Sequence, residues 1–305
     1  MSRTPDTVDS RRGFMAAFGA FLTWGLLPLY ISLLKAAGSV EIMAHRVAWA
    51  CLFLFGWIAL RGELGKIGAV LRDRAVMLKL LISAAMISIN WLLYVWAIGN
   101  GQVIEASLGY FINPLVSILL GVFVLRERLT RAQWLAVGIA ALGVIWLSVQ
   151  VGRPPWIALS LAGTFALYGL VRKMAIVEAI AGLGIETLLI TPFMLAYLGW
   201  EMHDGSLQFL RHGTLLAVLL VASGVITAIP LVMFAYGVRR VPLTTIGVMQ
   251  YVAPTLQFLC GVFFFHETFT PVRAVGFGFI WAALFVYAGE GLWRARRVRP
   301  ALATT

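Results

Sequence analysis

Between residues 14 and 291 the chain is a succession of ten apolar runs separated by short polar connections. They fall at residues 14–35, 41–60, 76–98, 102–125, 131–149, 154–171, 179–200, 213–238, 241–265 and 270–291. A helix needs about 20 mostly apolar residues to cross hydrocarbon, where each backbone polar group must be satisfied within its own segment. Ten such runs predict an all-α polytopic membrane protein with ten transmembrane helices. Composition agrees, since 61% of the 305 residues are hydrophobic and only 12% are charged, unlike a soluble domain. The longest connections, Arg61 to Ala75 and Glu201 to His212, are too short to hold a soluble domain, so the function is expected inside the membrane.

The formal charge of +11 is distributed by topology. With the N-terminus in the cytoplasm, nineteen basic residues fall in inside segments, among them Arg11, Arg12, Arg126, Arg128, Arg172, Lys173, Arg239 and Arg240. Four fall outside: Lys35, Arg153, Arg211 and Arg273. The positive-inside rule therefore puts both termini in the cytoplasm and makes the lipid bilayer, not nucleic acid, the partner of this charge. Arg46 alone is left over, inside the second run.

Shifting the sequence by 140 residues lays YFINPLVSILLGVFVLRERLTRAQWLAVG (Tyr110 to Gly138) over QYVAPTLQFLCGVFFFHETFTPVRAVGFG (Gln250 to Gly278) without a gap. Pro114 meets Pro254, Gly121 meets Gly261, Phe123 meets Phe263, Glu127 meets Glu267 and Thr130 meets Thr270. Such register predicts a duplication of five-span units, residues 1–150 and 151–305. An odd number of spans inserts the second unit upside down, the inverted-repeat plan of secondary transporters, whose solute binds near the midplane between the halves. Pro114 and Pro254 fall near the middle of their runs and are expected to free the carbonyls of Tyr110 and Gln250. A structural kink without a ligand is the competing reading of each proline.

Polar side chains inside a span glue helices together or meet solute. Asn90, Tyr94, Tyr110, Asn113, Pro114, Gln250, Tyr251, Pro254 and Gln257 form the candidate cavity, whose amides and aromatics suit a small, partly apolar organic solute. A second set forms candidate gate or proton-coupling layers: His45, Arg46 and Glu105 toward the outside, and Glu186, Thr187, Thr244 and Thr245 toward the inside. Arg46 and Glu105 share a depth, so an ion pair is one expectation. The other has Arg46 snorkelling to headgroups while Glu41 and His45 pair at i,i+4.

No GxxxxGK phosphate loop occurs, no cofactor is expected, and HETFT at His266 has Thr270 where a zinc HExxH needs its second histidine. No metal site is expected, and Cys51 and Cys260 read as small core hydrophobes. Small residues at four-residue spacing, Ala132, Ala136 and Ala140 in the fifth run and Ala274, Gly278 and Ala282 in the tenth, would suit close packing or a homodimer.

The run EIMAHR, the segment NWLLYVWAIGNGQVIEASLGYFINPLVSILLG and the following RERLTRAQW resemble the EamA branch of the drug/metabolite transporter superfamily, and the similarity runs through essentially all ten spans. The resemblance implies two inverted five-helix bundles and a central cavity with spans three, four, eight and nine prominent. It also implies a permease of the cell inner membrane, with relatives that export amino acids and other metabolites. The leading expectation is a secondary transporter that exports a small organic metabolite or drug-like compound by alternating access. The alternative is a membrane-embedded non-transporter, such as a lipid-modifying enzyme or an assembly scaffold.

Overall fold

The computed structural model describes residues 7–125, 129–175, 177–238, 240 and 249–301. Among the described residues the elements are α1 (Thr7–Ser32), α2 (Ser39–Leu60), α3 (Leu64–Arg72), α4 (Arg74–Gly99), α5 (Val103–Leu125), α6 (Arg131–Val151), α7 (Trp156–Ala175), α8 (Ala179–Asp204) and α9 (Gly213–Val238). After them come α10 (Val252–Leu259), which continues into one π turn at Cys260–Phe264, and α11 (Pro271–Ala301). Eight of these helices are long and apolar enough to cross a membrane, and two shorter apolar ones, Trp156–Arg172 and Val252–Phe264, occupy the sixth and ninth runs. All ten apolar runs thus contain helix, and large apolar side chains such as Phe193, Leu215 and Phe285 face outward, as a lipid-facing surface requires.

Local chemistry sets several helix ends. The Asp73 carboxylate accepts from the N–H groups of Ala75 and Val76 at 3.0 and 3.1 Å and starts α4. Thr130 and Gln133 form a reciprocal capping box at the start of α6, with bonds of 3.0 and 3.1 Å. The short α3 was not anticipated within the connection Arg61 to Ala75. It exists because Ile67 drops into a pocket with Ile58, Leu80, Ala181 and Ile185, which gives nine residues a buried anchor that propensity alone would not supply.

Packing crosses between the two halves of the chain. α1 lies on α9 and α10, while α7, the sixth apolar run, lies on α4 and α5. α2 packs on α8 and α9, and α6 packs on α11. Small residues allow the closest approaches: a Cβ on Gly109 would stand 2.8 Å from the Ala158 carbonyl oxygen across the α5–α7 contact. Of the small-residue rows, Ala136 and Ala140 are buried within the α6–α11 core and Ala132 is half-buried. Ala274, Gly278 and Ala282 are exposed on the opposite face of α11.

The ninth run is interrupted near its middle, with helix at Met249 and again from Val252. Gln250 and Tyr251 form a turn, and Pro254 is the third residue of α10. A proline in a first turn removes an N–H that has no intrahelical acceptor anyway. Pro254 therefore follows directly on an interruption of its run, whereas Pro114 lies inside continuous α5. Thr244 and Thr245 lie outside the described residues.

Candidate functional site

A cavity of about 400 Å³ lies within the bundle, lined by α1, α2, α4, α5, α7, α8, α9 and α10 but not by α6 or α11. Along α2 it runs from Arg46 to Leu54, roughly 12 Å at 1.5 Å per residue. Its walls carry Phe21, Trp24, Trp91, Phe165 and Phe234. Six of the sequence-derived cavity residues reach it: Tyr94, Tyr110, Asn113, Gln250, Pro254 and Gln257.

The other three take supporting positions. Asn90 is fully buried, its carboxamide donating to the Leu161 carbonyl and to Thr164 Oγ1, both at 2.9 Å. Its oxygen accepts from the Tyr110 hydroxyl at 3.3 Å, so Asn90 orients a cavity aromatic from behind. Pro114 is buried in α5 beside the lining residue Asn113. Tyr251 turns to the core formed by α6, α11 and the outer side of α5. Gln257 is held at the wall by donating from Nε2 to the Trp24 carbonyl at 3.0 Å.

The outer layer expected from sequence is not assembled as a pair. Arg46 is buried, but its Nε donates to Thr227 Oγ1 at 3.0 Å and its guanidinium carbon lies 5.2 Å from the Trp91 ring centroid. Glu105 instead accepts from the Ile157 N–H at 3.1 Å, at the start of α7, and lines a separate recess with Arg153 and Arg273. Equal depth gave no azimuth: α2 turns Arg46 toward α9 and α4, and α5 turns Glu105 toward α7. Snorkelling fails too, since Arg46 is only 4% exposed. His45 faces away from the cavity, accepting from Trp49 Nε1 at 3.2 Å and stacking on Phe209 at 4.7 Å. Its expected partner Glu41 is taken by the N–H groups of Gln208 and Phe209.

At the far end from Arg46, Glu186 is fully buried. It accepts from Ser83 Oγ at 2.5 Å and the Tyr168 hydroxyl at 3.3 Å, and pairs with Arg172 Nε at 3.5 Å. Arg172 and Tyr168 line the cavity in front of it. Thr187 does not join this network, because its hydroxyl donates back to the carbonyls of Leu183 and Gly184. Sequence reasoning missed Arg172, which the charge count absorbed as a topology residue. The available signal was that Arg172 directly follows the sixth run, on the same helical face as Tyr168.

Comparison with known proteins agrees with this architecture. The EamA-like transporter family matches residues 11–149 and again residues 155–289. Protein RarD of Streptomyces exfoliatus is 46% identical, over 96% of this chain and 93% of its own. The uncharacterized transporter YojE of Bacillus subtilis is 42% identical, over 92% of this chain and 94% of its own. The chloramphenicol-sensitive protein RarD of Pseudomonas aeruginosa is 31% identical, over 91% of this chain and 93% of its own. A crystal structure at 21% identity covers 90% of this chain and 95% of that one with a TM-score of 0.57, a likeness of fold. With the family matched along nearly the whole chain and full-length relatives named as RarD proteins and transporters, this polytopic membrane protein belongs to the EamA-like transporter family.

Proposed function

We propose that the chain is a secondary transporter of the cell inner membrane, exporting a small organic solute through the 400 Å³ cavity by alternating access. The observation that carries this reading is the provenance of the walls. Four helices before residue 150 and four after it contribute to one chamber lined by aromatic and aliphatic side chains, and α6 and α11 stand outside it. That is where an inverted-repeat transporter binds its solute. The exchange of packing partners, α1 with α9 and α10 against α7 with α4 and α5, supports two equivalent units, 1–150 and 151–305. So does the matched exposure of Phe123 and Phe263, 75% and 71%. The charge asymmetry of the connections supports a cytoplasmic location for both termini.

Transport is tested by loading purified protein into proteoliposomes and measuring efflux of a panel of radiolabelled amphipathic metabolites, with and without a pH gradient. Ala253→Trp, which fills the chamber from the start of α10, is expected to abolish flux at unchanged abundance. Flux that survives the filled chamber would remove the cavity from the pathway. Absence of flux for every solute would favour a membrane-embedded enzyme or scaffold.

A further inference from the structure

Arg46 brings to this cavity a charge that the described residues leave without a counter-charge. Its side chain is 4% exposed, and no carboxylate among the described residues lies within ion-pair distance. Nε is committed to Thr227, whose own hydroxyl donates to the Ser223 carbonyl at 2.8 Å. One face of the guanidinium lies over Trp91. Nη1 is buried with no hydrogen-bond partner. A guanidinium keeps its proton throughout the accessible pH range and offers a rigid fork of donors. Taking such an ion out of water costs several kcal/mol unless a partner answers it.

Three further polar atoms at the same cavity are buried and unsatisfied: the Tyr94 hydroxyl, Asn113 Oδ1 and Gln257 Oε1. Buried polar groups in a folded protein are ordinarily paired, and a cluster of exceptions lining one chamber points to a ligand-binding site. The set is ordered by sign, with a fixed cation and a hydroxyl on α2 and α4, and two amide oxygens on α5 and α10. Most of the remaining wall is apolar, aromatic and aliphatic, and its other cation, Arg172, is paired with Glu186.

We propose that Arg46 is the anion-binding centre of the cavity and that the solute is an amphipathic organic monocarboxylate. Its carboxylate is received by Arg46 Nη1 and the Tyr94 hydroxyl, its body by the aromatic wall, and a hydrogen-bond donor on that body by Asn113 or Gln257. The assignment rests on the transport reading of the same chamber but concerns binding, which can be measured without flux. Thr227 and Trp91 hold the guanidinium before the ligand arrives, so little ordering is left to be done on binding.

The test uses two probes, 3-phenylpropionate and indole-3-acetate, each against its isosteric neutral amide, by calorimetry and tryptophan fluorescence on the full chain in nanodiscs. Charge-assisted hydrogen bonds to a desolvated guanidinium are expected to give each carboxylate about tenfold or greater preference over its amide. Arg46→Gln is expected to bring that preference to near one, and Arg46→Lys to leave an intermediate value, since a point charge lacks the fork. The comparison in the unaltered protein needs no variant to fold. No carboxylate binding more tightly than its amide, or a preference that survives Arg46→Gln, would overturn the assignment. Carboxylate binding without flux in proteoliposomes would uphold the assignment and remove the transport reading. Flux of the neutral amides with no carboxylate preference would do the reverse.

Discussion

Carboxylates in or beside the apolar runs are conspicuous in a sequence, and two of them, Glu105 and Glu267, serve helix starts. Glu105 caps the start of α7 through the Ile157 N–H, and Glu267 caps the start of α5, accepting from Val103 and Ile104 at 2.5 and 3.0 Å. The repeat makes Glu267 legible as a position that matters, since it matches Glu127, which lies outside the described residues. Spacing alone gives depth along a helix and nothing about which neighbour lies opposite, so an ion pair of Arg46 with Glu105 looked plausible and does not form. Exchanging the two charges, Arg46→Glu with Glu105→Arg, is accordingly expected not to restore flux lost in either single variant. Glu267→Ala is expected to cost about 1–2 kcal/mol, the loss of a cap whose donors are partly buried. Glu267→Gln should recover part of it in thermal unfolding of the purified protein. Full stability in Glu267→Ala would refute the capping role.

At the level of elements, helix existence was legible because ten runs of apolar length leave a chain in hydrocarbon no other option. The break of the ninth run was legible in part, since Pro254 cannot donate to the carbonyl of Gln250 and the turn falls at Gln250–Tyr251, but nothing local distinguishes it from Pro114, which leaves α5 continuous. Helix contacts were hidden, since glycine is common along this sequence and only the fold shows which ones touch backbone. Gly109 and Gly138 make the contrast measurable. A methyl on Gly109 meets the Ala158 carbonyl oxygen, while one on Gly138 meets nothing within 4 Å. Gly109→Ala is expected to lose about 1–3 kcal/mol through forced separation of α5 from α7. Gly138→Ala should be neutral or gain up to about 1 kcal/mol from helix propensity. Equal melting temperatures for the two variants would refute the close α5–α7 approach.

For the whole molecule, six of the nine residues named from sequence line the chamber, because symmetry-related prolines with polar and aromatic neighbours mark it before any fold is known. Arg172 could not, because a basic residue at a span end answers to topology and to the interior at once. With Glu186, Ser83 and Tyr168 it ties α4, α7 and α8 together at the end of the cavity remote from Arg46. In the proposed topology that is the cytoplasmic end, and alternating access requires these helices to part. Glu186→Gln breaks a buried pair while keeping acceptor and donor atoms in place, and is expected to destabilise by about 3–5 kcal/mol. Glu186→Gln combined with Arg172→Met removes both charges and should regain most of that stability, because apolar replacement of a buried pair is often neutral. If the network is a gate, the double variant will be stable yet defective in flux, since the end it closed is no longer held shut between cycles. A double variant that recovers stability and parental flux together would reduce the network to scaffolding, and the gate would have to be sought elsewhere around the chamber.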